Sequence, residues 1–455
     1  MTPDSALDTA AELAAVEAEL NTRWPETKLE PSTARIAALV DLLGSPQRGY
    51  PVVHVAGTNG KTSVVRMVDA LLTSLGLRTG RYTSPHLQSV TERISVDGVP
   101  VDTRRYLDVY RDIEPYLAMV DTAQPIRMSK FEVLTGMAFA AFADAPVDAA
   151  VVEVGLGGTW DATNVVDAAV AVITPIGVDH VEYLGSDVAG IAGEKAGIVK
   201  PGSIAVLADQ PPEVQRVLLA RAADVDATVA REGMEFGVLA RRLAVGGQQL
   251  RLQGLGGVYD DILLPLHGAH QASNAALALA AVEAFFGAGG SRQLDGEAVF
   301  RGFAAVTSPG RLERLRTAPA VFADAAHNPH GARALAVALR DDFAFGRLVA
   351  VVATMADKDA RGILAQLEPA ADEVVITRNS SPRAHDVDEL AAIAVELFGA
   401  DRVNVEPRLD DAVSAAVQLA EDAADAGQLA GAGVVITGSV VTAGEARTLF
   451  GKEPA

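Results

Sequence analysis

The 455-residue chain contains no cysteine. Thiol nucleophiles, disulfide bonds and thiolate-bound metals are therefore excluded from its chemistry. Basic residues are also in deficit, since 38 Lys and Arg face 59 Asp and Glu for a formal net charge of −21. This balance argues against a general nucleic-acid or anionic-membrane binder, because both need a broad basic surface. Anionic small ligands stay open, because they need only a few local cations.

The sequence shows neither a signal-peptide pattern nor a convincing membrane span. Residues 1–20 are acidic and follow an amphipathic helical pattern, without the basic start and apolar centre of a signal peptide. Residues 262–282 contain no Asp, Glu, Lys or Arg, but they include Pro265, two histidines and Asn274. That composition favours a buried loop and helix over a transmembrane helix. The sequence predicts a cytoplasmic protein that binds neither membranes nor nucleic acids.

Chain length and apolar runs predict two α/β domains. A chain of 455 residues exceeds what one core usually organises. Short Val-, Ile- and Ala-rich runs alternate with helical patterns, and such continuous runs are typical of parallel strands buried on both faces. The strand candidates are residues 52–56, 149–154, 168–174, 320–323, 348–354, 373–377 and 433–437. A stretch with Ser, Pro and Gly at 304–315 indicates the boundary between the domains, which are predicted at 1–308 and 309–455. The two domains are expected to close around this junction.

Residues 52–76, VVHVAGTNGKTSVVRMVDALLTSLG, combine an apolar strand, a glycine-rich turn and a helix. Backbone N–H groups of such a turn, together with the helix N-terminus, bind phosphate. Lys61 adds a full positive charge for the outer phosphates of a nucleotide, and Thr62 or Ser63 adds a hydroxyl group. The common P-loop would have a glycine at Val55, so the turn is a shortened variant. The predicted phosphate-binding residues are Gly57, Thr58, Asn59, Gly60, Lys61, Thr62 and Ser63.

The GTNGKTS motif resembles the ATP-dependent Mur ligase superfamily. Further motifs, in order from about residue 30 to 445, resemble folylpolyglutamate synthase and dihydrofolate synthase. They are TSPHL (83–87), ERI (92–94), VEVGLGGTWDATN (152–164), ITPIGVDHVEYLG (173–185), EKAGIVKPG (194–202), HQASNAALAL (270–279), PGRLE (309–313), DAAHNPHG (324–331) and TGSVV (437–441). The resemblance implies an α/β fold with a P-loop NTPase-like parallel-sheet domain followed by a smaller Rossmann-like C-terminal domain.

The resemblance also implies the chemistry, which is ATP-dependent joining of L-glutamate to a folate or pteroate carboxylate. The γ-phosphoryl group of ATP passes to the carboxylate, and the amine of glutamate attacks the resulting acyl phosphate. No protein nucleophile is required, in agreement with the absence of cysteine. The implied partners are ATP, two Mg²⁺ ions, glutamate and a folate or dihydropteroate, and the implied state is a monomer.

Matching family positions imply the site residues. The implied metal positions are Ser84, Glu153, His180 and Lys195, the lysine being carbamylated. Glu153 also follows from the residues alone, since a carboxylate at the end of a Val-rich strand can hold magnesium. Lys61, His180 and Lys195 are the implied catalytic residues. Asn274, Arg311 and Asp324 join the phosphate turn as implied nucleotide-binding residues.

Two further sets are implied for the other substrates. The folate or pteroate set is Arg93, Ser129, Lys130, Phe131, Glu132, Trp160, Asp161 and Ala162. The glutamate set is His327, His330 and Arg383, with Lys358 approaching the phosphates when the domains close. The chain departs from the usual family pattern at Thr159 and Trp160, where Arg and Leu are usual.

The sequence leaves alternative functions open. The enzyme can glutamylate folate, dihydropteroate or both. A Mur-type ligase of cell-wall synthesis is a rival, although only 51 residues precede Val52, too few for the extra N-terminal domain of those enzymes. A P-loop nucleotide switch is another rival, and it would hydrolyse nucleotide independently of folate and glutamate.

Overall fold

The first sheet of the molecule is built from the apolar runs of the N-terminal part. The computed structural model describes residues 3–24, 31–287, 292–425 and 431–455. In chain order, the first sheet contains β1 (Val52–Ala56), β2 (Thr79–Tyr82), β3 (Ile94–Val96), β4 (Val99–Pro100), β5 (Ala149–Glu153), β6 (Val170–Ile173), β7 (Ile204–Leu207) and β8 (Thr228–Arg231). Its spatial order is β4-β3-β2-β5-β1-β6-β7-β8, parallel from β2 to β8. Strands β3 and β4 extend it in antiparallel pairing.

Two more sheets follow along the chain. A small antiparallel sheet in the order β11-β10-β9 is formed by β9 (Gly237–Ala244), β10 (Gly247–Gln253) and β11 (Val258–Leu264). The C-terminal sheet contains β12 (Glu313–Thr317), β13 (Ala320–Ala323), β14 (Arg347–Val352), β15 (Glu373–Arg378), β16 (Val403–Arg408) and β17 (Ala432–Thr437). Its order is β12-β13-β17-β14-β15-β16, and all neighbours except β12 and β13 are parallel.

Helices connect the strands and cover both faces of the larger sheets. In the N-terminal part they are α1 (Pro3–Thr22), α2 (Ala34–Leu42), α3 (Lys61–Ser74), α4 (Thr103–Ala123), α5 (Lys130–Asp144), α6 (Val181–Leu184), α7 (Val188–Ala196), α8 (Pro212–Asp224), α9 (Ala269–Phe285) and α10 (Gly296–Ala304). In the C-terminal part they are α11 (Pro329–Asp342), α12 (Ala360–Leu367), α13 (Val387–Phe398), α14 (Leu409–Asp425) and α15 (Val440–Leu449).

The packing explains why the apolar runs are continuous. Every residue of β1, β5 and β6 is buried, because helices lie on both faces of the sheet. On one face, α3 and α9 pack together with the small antiparallel sheet in one apolar core. Residues Val64, Val68 and Leu71 of α3 are fully buried in that core. The helix that follows the phosphate turn is thus held firmly against the sheet.

The predicted strands and fold class are confirmed. β1 and β13 have the predicted bounds, and the other predicted runs differ from the observed strands by a residue or two at either end. The antiparallel sheet and the strands β2, β3, β4, β7, β8, β12 and β16 were not predicted. The α/β fold with a parallel-sheet N-terminal part and a second sheet at the C-terminus is confirmed by similarity to solved structures reported below. The boundary between 308 and 309 stays a prediction.

The uncharged stretch at 262–282 contains the end of β11, a loop and most of α9. This is the loop and helix that its polar residues predicted. Among the described helices, none has the length and apolar character needed to span a membrane.

Candidate active site

The two larger sheets present the carboxyl ends of their strands to one cavity. In the first sheet, the phosphate turn follows β1, Ser84 follows β2 and Glu153 ends β5. In the second sheet, Asp324 follows β13 and Lys358 lies in the loop after β14. Ligands of open α/β sheets bind at such carboxyl ends. The cavity between them has a volume of about 1200 Å³ and is lined by residues from both parts of the chain.

Nearly all predicted site residues line this cavity. From the first part, the wall contains Gly57, Thr58, Asn59, Gly60, Lys61, Thr62, Ser63, Ser84, Ser129, Phe131, Glu132, Glu153, Trp160, Asp161, Ala162, His180, Lys195 and Asn274. From the second part, it contains Arg311, Asp324, His327, His330, Lys358 and Arg383. The residues predicted from the sequence therefore lie together on the wall of one cavity. The role of each residue stays a prediction.

Two predicted folate contacts lie off the wall. Lys130 donates hydrogen bonds to Glu17 and Asn21 of α1, both at 2.9 Å. Arg93 is 3% exposed, and its Nε donates to Nδ1 of His86 at 3.0 Å. Both side chains are therefore engaged in the protein, away from the described cavity wall.

The phosphate turn is pinned to the segment after β6. The backbone N–H groups of Thr58 and Asn59 donate to the carbonyl of Pro175 at 3.0 and 3.3 Å. Gly57 has a φ of +147°, and a Cβ there would lie 1.8 Å from Oγ1 of Thr174, so only glycine fits. Gly60, with a φ of 90°, is the N-cap residue of α3. The turn is consequently preformed.

The ammonium group of Lys61 lies over the turn, where it donates to the carbonyls of Gly57 and Thr58 at 3.2 and 3.3 Å. Burial lowers the pKa of Lys61, while the charges of Glu153 and Asp179 oppose that shift. Asn274 lies against the same turn, since a Cβ on Gly60 would be 2.8 Å from its Oδ1. The turn therefore combines a cation, an amide and a helix N-terminus, which suits a polyphosphate.

Glu153 carries an oxygen that the protein leaves unsatisfied. Its side chain is buried, and Oε1 accepts a hydrogen bond from the Thr62 hydroxyl at 2.9 Å. Within the described residues, Oε2 has no hydrogen-bond partner. Burial raises the pKa of Glu153, and the charge of Lys61 opposes this. A buried carboxylate oxygen without a donor is suited to a hard cation.

Lys195 is 5% exposed and lies on α7, against the Gly157–Gly158 turn. Burial, followed by the charge of Lys61, lowers the pKa of Lys195 to about 7. Its ammonium group has no hydrogen bond or ion pair within the described part of the chain. A Cβ on Gly158 would lie 2.9 Å from Cα of Lys195, so this glycine permits the close approach of α7.

Several predicted folate residues also have structural roles. Ser129 and Glu132 form the capping box of α5, and Glu132 pairs with Arg35 at 2.9 Å. Asp161 accepts backbone hydrogen bonds from Leu156 and Thr163, both at 2.9 Å. These contacts fix the cavity wall whether or not the same side chains touch a substrate.

Sequence reasoning missed Asp179, which joins the two parts of the chain across the cavity. Its carboxylate accepts hydrogen bonds from Asn328 and Lys358. Burial raises its pKa, but the hydrogen bond and charge of His327 and the charges of His180 and Lys358 hold the pKa well below its usual range. The GVDH motif contained this residue, but only its histidine was singled out.

Comparisons with known proteins show the family to which the chain belongs. Residues 55–282 match the Mur ligase middle domain, and residues 310–440 match the Mur ligase, glutamate ligase domain. The chain belongs to the Mur ligase family. The dihydrofolate synthase/folylpolyglutamate synthase of Mycobacterium tuberculosis is 62% identical over 98% of this chain and 96% of the relative. This similarity confirms the predicted branch, that of folylpolyglutamate synthase and dihydrofolate synthase.

Solved structures of relatives have the same fold as this ligase. Mycobacterium tuberculosis folylpolyglutamate synthase complexed with ADP superimposes with a TM-score of 0.94, covering 98% of this chain and 100% of that one. E. coli FolC in complex with DHPP and ADP is 30% identical, has a TM-score of 0.82 and covers 96% of this chain and 97% of that one. The predicted ATP-dependent ligase activity is confirmed by this family membership. The cell-wall ligase and the nucleotide switch are correspondingly disfavoured.

Proposed function

We propose that this ligase adds L-glutamate both to dihydropteroate and to folate, through an acyl phosphate. The observation that supports this most is the single cavity, which places a phosphate turn, a buried carboxylate and cations of the second part around one space. Three anionic substrates must meet there, and positioning with charge stabilisation supplies most of such catalysis. The two acceptors require the same chemistry and differ only in the carboxylate that is presented.

The residues present fit magnesium. The fit rests on Oε2 of Glu153, which is buried and without a donor among the described residues. Glu153, Ser84 and His180 would hold one ion, and Lys195, once carbamylated, would help to hold a second. Magnesium would neutralise phosphate charge during transfer. The lowered pKa of Lys195, about 7, keeps a neutral amine available for carbon dioxide.

The chain's own groups would then divide the work. The turn and Lys61 bind the β- and γ-phosphates of ATP, with Asn274 beside the turn. Arg311 and Asp324 bind the nucleotide from the second part, where Asp324 is anchored by the N–H groups of Leu312 and Ala326 at 2.8 Å. Closure of the two parts excludes water from the acyl phosphate.

The acceptor and the amino acid enter from different sides. Ser129, Phe131, Glu132, Trp160, Asp161 and Ala162 form the proposed folate or pteroate wall. His327, His330 and Arg383 form the proposed glutamate wall. The predicted domain boundary at 308/309 separates these two walls. A monomeric state and a cytoplasmic location stay predictions from the sequence.

The deciding experiment is phosphate release by the purified protein with ATP, Mg²⁺ and glutamate, with dihydropteroate or a reduced folate as acceptor. We expect release that requires glutamate and either acceptor, with the glutamylated product detected by mass spectrometry. Activity with one acceptor alone would restrict the function to one of the two reactions. Release independent of glutamate and of both acceptors would contradict the proposal.

A further inference from the structure

Asp179 is the residue on which three side chains of the C-terminal part converge. Its side chain is 8% exposed and lies in the segment that follows β6. Oδ1 accepts from Nζ of Lys358 at 2.7 Å. Oδ2 accepts from Nδ2 of Asn328 at 2.8 Å and lies 3.5 Å from Nε2 of His327. One carboxylate of the N-terminal part thus holds an ammonium, an amide and an imidazole of the other part.

These contacts fix two separate loops of the C-terminal part. Asn328 is the N-cap residue of α11, where its Oδ1 accepts from the N–H of Gly331 at 2.8 Å. Lys358 belongs to the loop after β14, which is tied to Arg383 because the N–H of Ala356 donates to the Arg383 carbonyl at 2.9 Å. The start of α11 and the loop after β14 therefore share Asp179 as a contact.

The arrangement leaves binding capacity unused. Lys358 is 11% exposed in its side chain, and Asp179 is its side chain's only hydrogen-bond partner among the described residues. An ammonium group has three donors, so two remain for a ligand. Arg383, paired with Asp357 at 2.7 Å, and His327 provide further cationic or donor groups in the neighbouring loops. A small molecule with two carboxylates requires such a set of groups, held at fixed distances.

We propose that Asp179 is a positioning residue for the incoming amino acid, because it holds Lys358 and His327 where the carboxylates of glutamate bind. This inference rests on the proposed function. Asp179 itself is an anion and does not contact those carboxylates directly. The phosphates of ATP have their own groups in Lys61 and the turn. The inference therefore assigns Lys358 to glutamate and not to the phosphates, which is the role that the family resemblance implied for it. Loss of Asp179 should then weaken glutamate binding and spare ATP binding.

The test compares Asp179→Asn, Lys358→Met and the double variant with the wild type. The Asn side chain keeps the shape of Asp179 but removes the charge that holds Lys358. We expect each single change to raise the KM for glutamate about tenfold or more, the usual size for loss of a charged hydrogen bond. The KM values for ATP and for the acceptor should stay within about twofold of wild type, because loss of the Asp179–Lys358 contact should not weaken the binding of all three substrates.

The double variant separates positioning from independent binding. If Asp179 acts through Lys358, removing both should cost no more than the worse single change, because residues acting as a unit are not additive. Arg241→Met is the matched control, since it breaks another ion pair between the two parts, with Asp342, outside this cluster. That variant should leave the ratio of the glutamate KM to the ATP KM unchanged.

Three results would overturn the inference. An increase in the ATP KM as large as that for glutamate would assign the cluster to phosphate, and additive effects or an unchanged glutamate KM would also overturn the inference. If Asp179→Asn fails to fold in a thermal unfolding assay, Lys358→Met decides by the same ratio of KM values. Glutamate-dependent turnover by the wild type tests the proposed function separately, so failure of one is distinguishable from failure of the other.

Discussion

The hydroxyl group of Thr62 donates to Oε1 of Glu153 at 2.9 Å, and the second oxygen of that carboxylate remains without a donor in the described structure. Thr62 lies in the first turn of α3, and Glu153 ends the neighbouring strand β5. This hydrogen bond between α3 and β5 therefore fixes the position of the carboxylate relative to the phosphate turn. A buried unsatisfied oxygen costs about 1–3 kcal/mol, which a bound cation would recover.

Glu153→Gln should remove magnesium-dependent activity without unfolding the protein. The amide keeps the size of the side chain and can still accept from Thr62, but it carries no charge for the metal. We expect turnover to fall about 100-fold or more, a size typical of groups that hold or orient a catalytic metal. Phosphate release measured against Mg²⁺ concentration checks this, with thermal unfolding of the metal-free protein as the control. A wild-type magnesium dependence in the variant would remove Glu153 from the metal site.

Lys195→Ala should lose activity, and short-chain carboxylic acids should restore part of it. The proposed carbamate is an anion on a long stem, and an added acid can occupy the space that the truncated side chain leaves. Activity with and without acetate is the measurement, and wild type with acetate is the control for nonspecific effects. Intact mass in carbonate buffer should show one carbon dioxide more in wild type than in the variant. A variant with wild-type activity would eliminate this role.

The sequence predicted the site well where chemistry lies at strand ends. The phosphate turn, Glu153 and Asp324 each follow or end an apolar run, and parallel strands bring such ends to one edge. Asp179 could not be found in this way, because Asn328 and Lys358 lie 149 and 179 residues further along the chain. Contacts at such separations depend on how the two sheets face each other, which no local pattern encodes.

Other misses had local causes. β9, β10 and β11 pair in antiparallel fashion, and the burial along β9 is too irregular to give a continuous apolar run. The capping box of Ser129 and Glu132, in contrast, is visible in the sequence as a serine followed three residues later by glutamate. Reading that pattern would have given both residues a structural role beside the proposed folate contact.

Arg311→Ala should impair the use of ATP more than acceptor binding. Arg311 lies at the junction between the two parts, where its N–H donates to the carbonyl of Ser308 at 3.1 Å. Its charge also opposes the burial-induced rise in the pKa of Glu153 and of Asp324, so it reaches groups of both parts. We expect the KM for ATP to rise about tenfold, as for loss of one charged contact. Arg311→Lys keeps the charge, so its KM for ATP should lie between those of wild type and Arg311→Ala. A loss of acceptor affinity as large as the loss of ATP affinity would contradict the assignment.

His54 should make the protein less stable in acid. It is fully buried on β1, and its Nε2 lies 2.8 Å from Oγ1 of Thr163. Because that hydroxyl already donates to Asp161, Nε2 must carry the hydrogen, and Nδ1 has no partner in the described residues. Burial, followed by the charge of Lys200, lowers the pKa of His54 from 6.5 to about 3.

The sign of the effect follows from proton uptake. Between pH 6.5 and about pH 3 the unfolded chain binds a proton at His54 that the folded chain does not. The free energy of unfolding should therefore fall with decreasing pH, by about 1.4 kcal/mol per pH unit from this residue. His54→Gln keeps a donor for Thr163 but cannot titrate, so the difference in unfolding free energy between wild type and variant should change with that slope. Urea unfolding at pH 6 and pH 5 measures it, and parallel pH dependences would show that His54 is protonated in the folded protein.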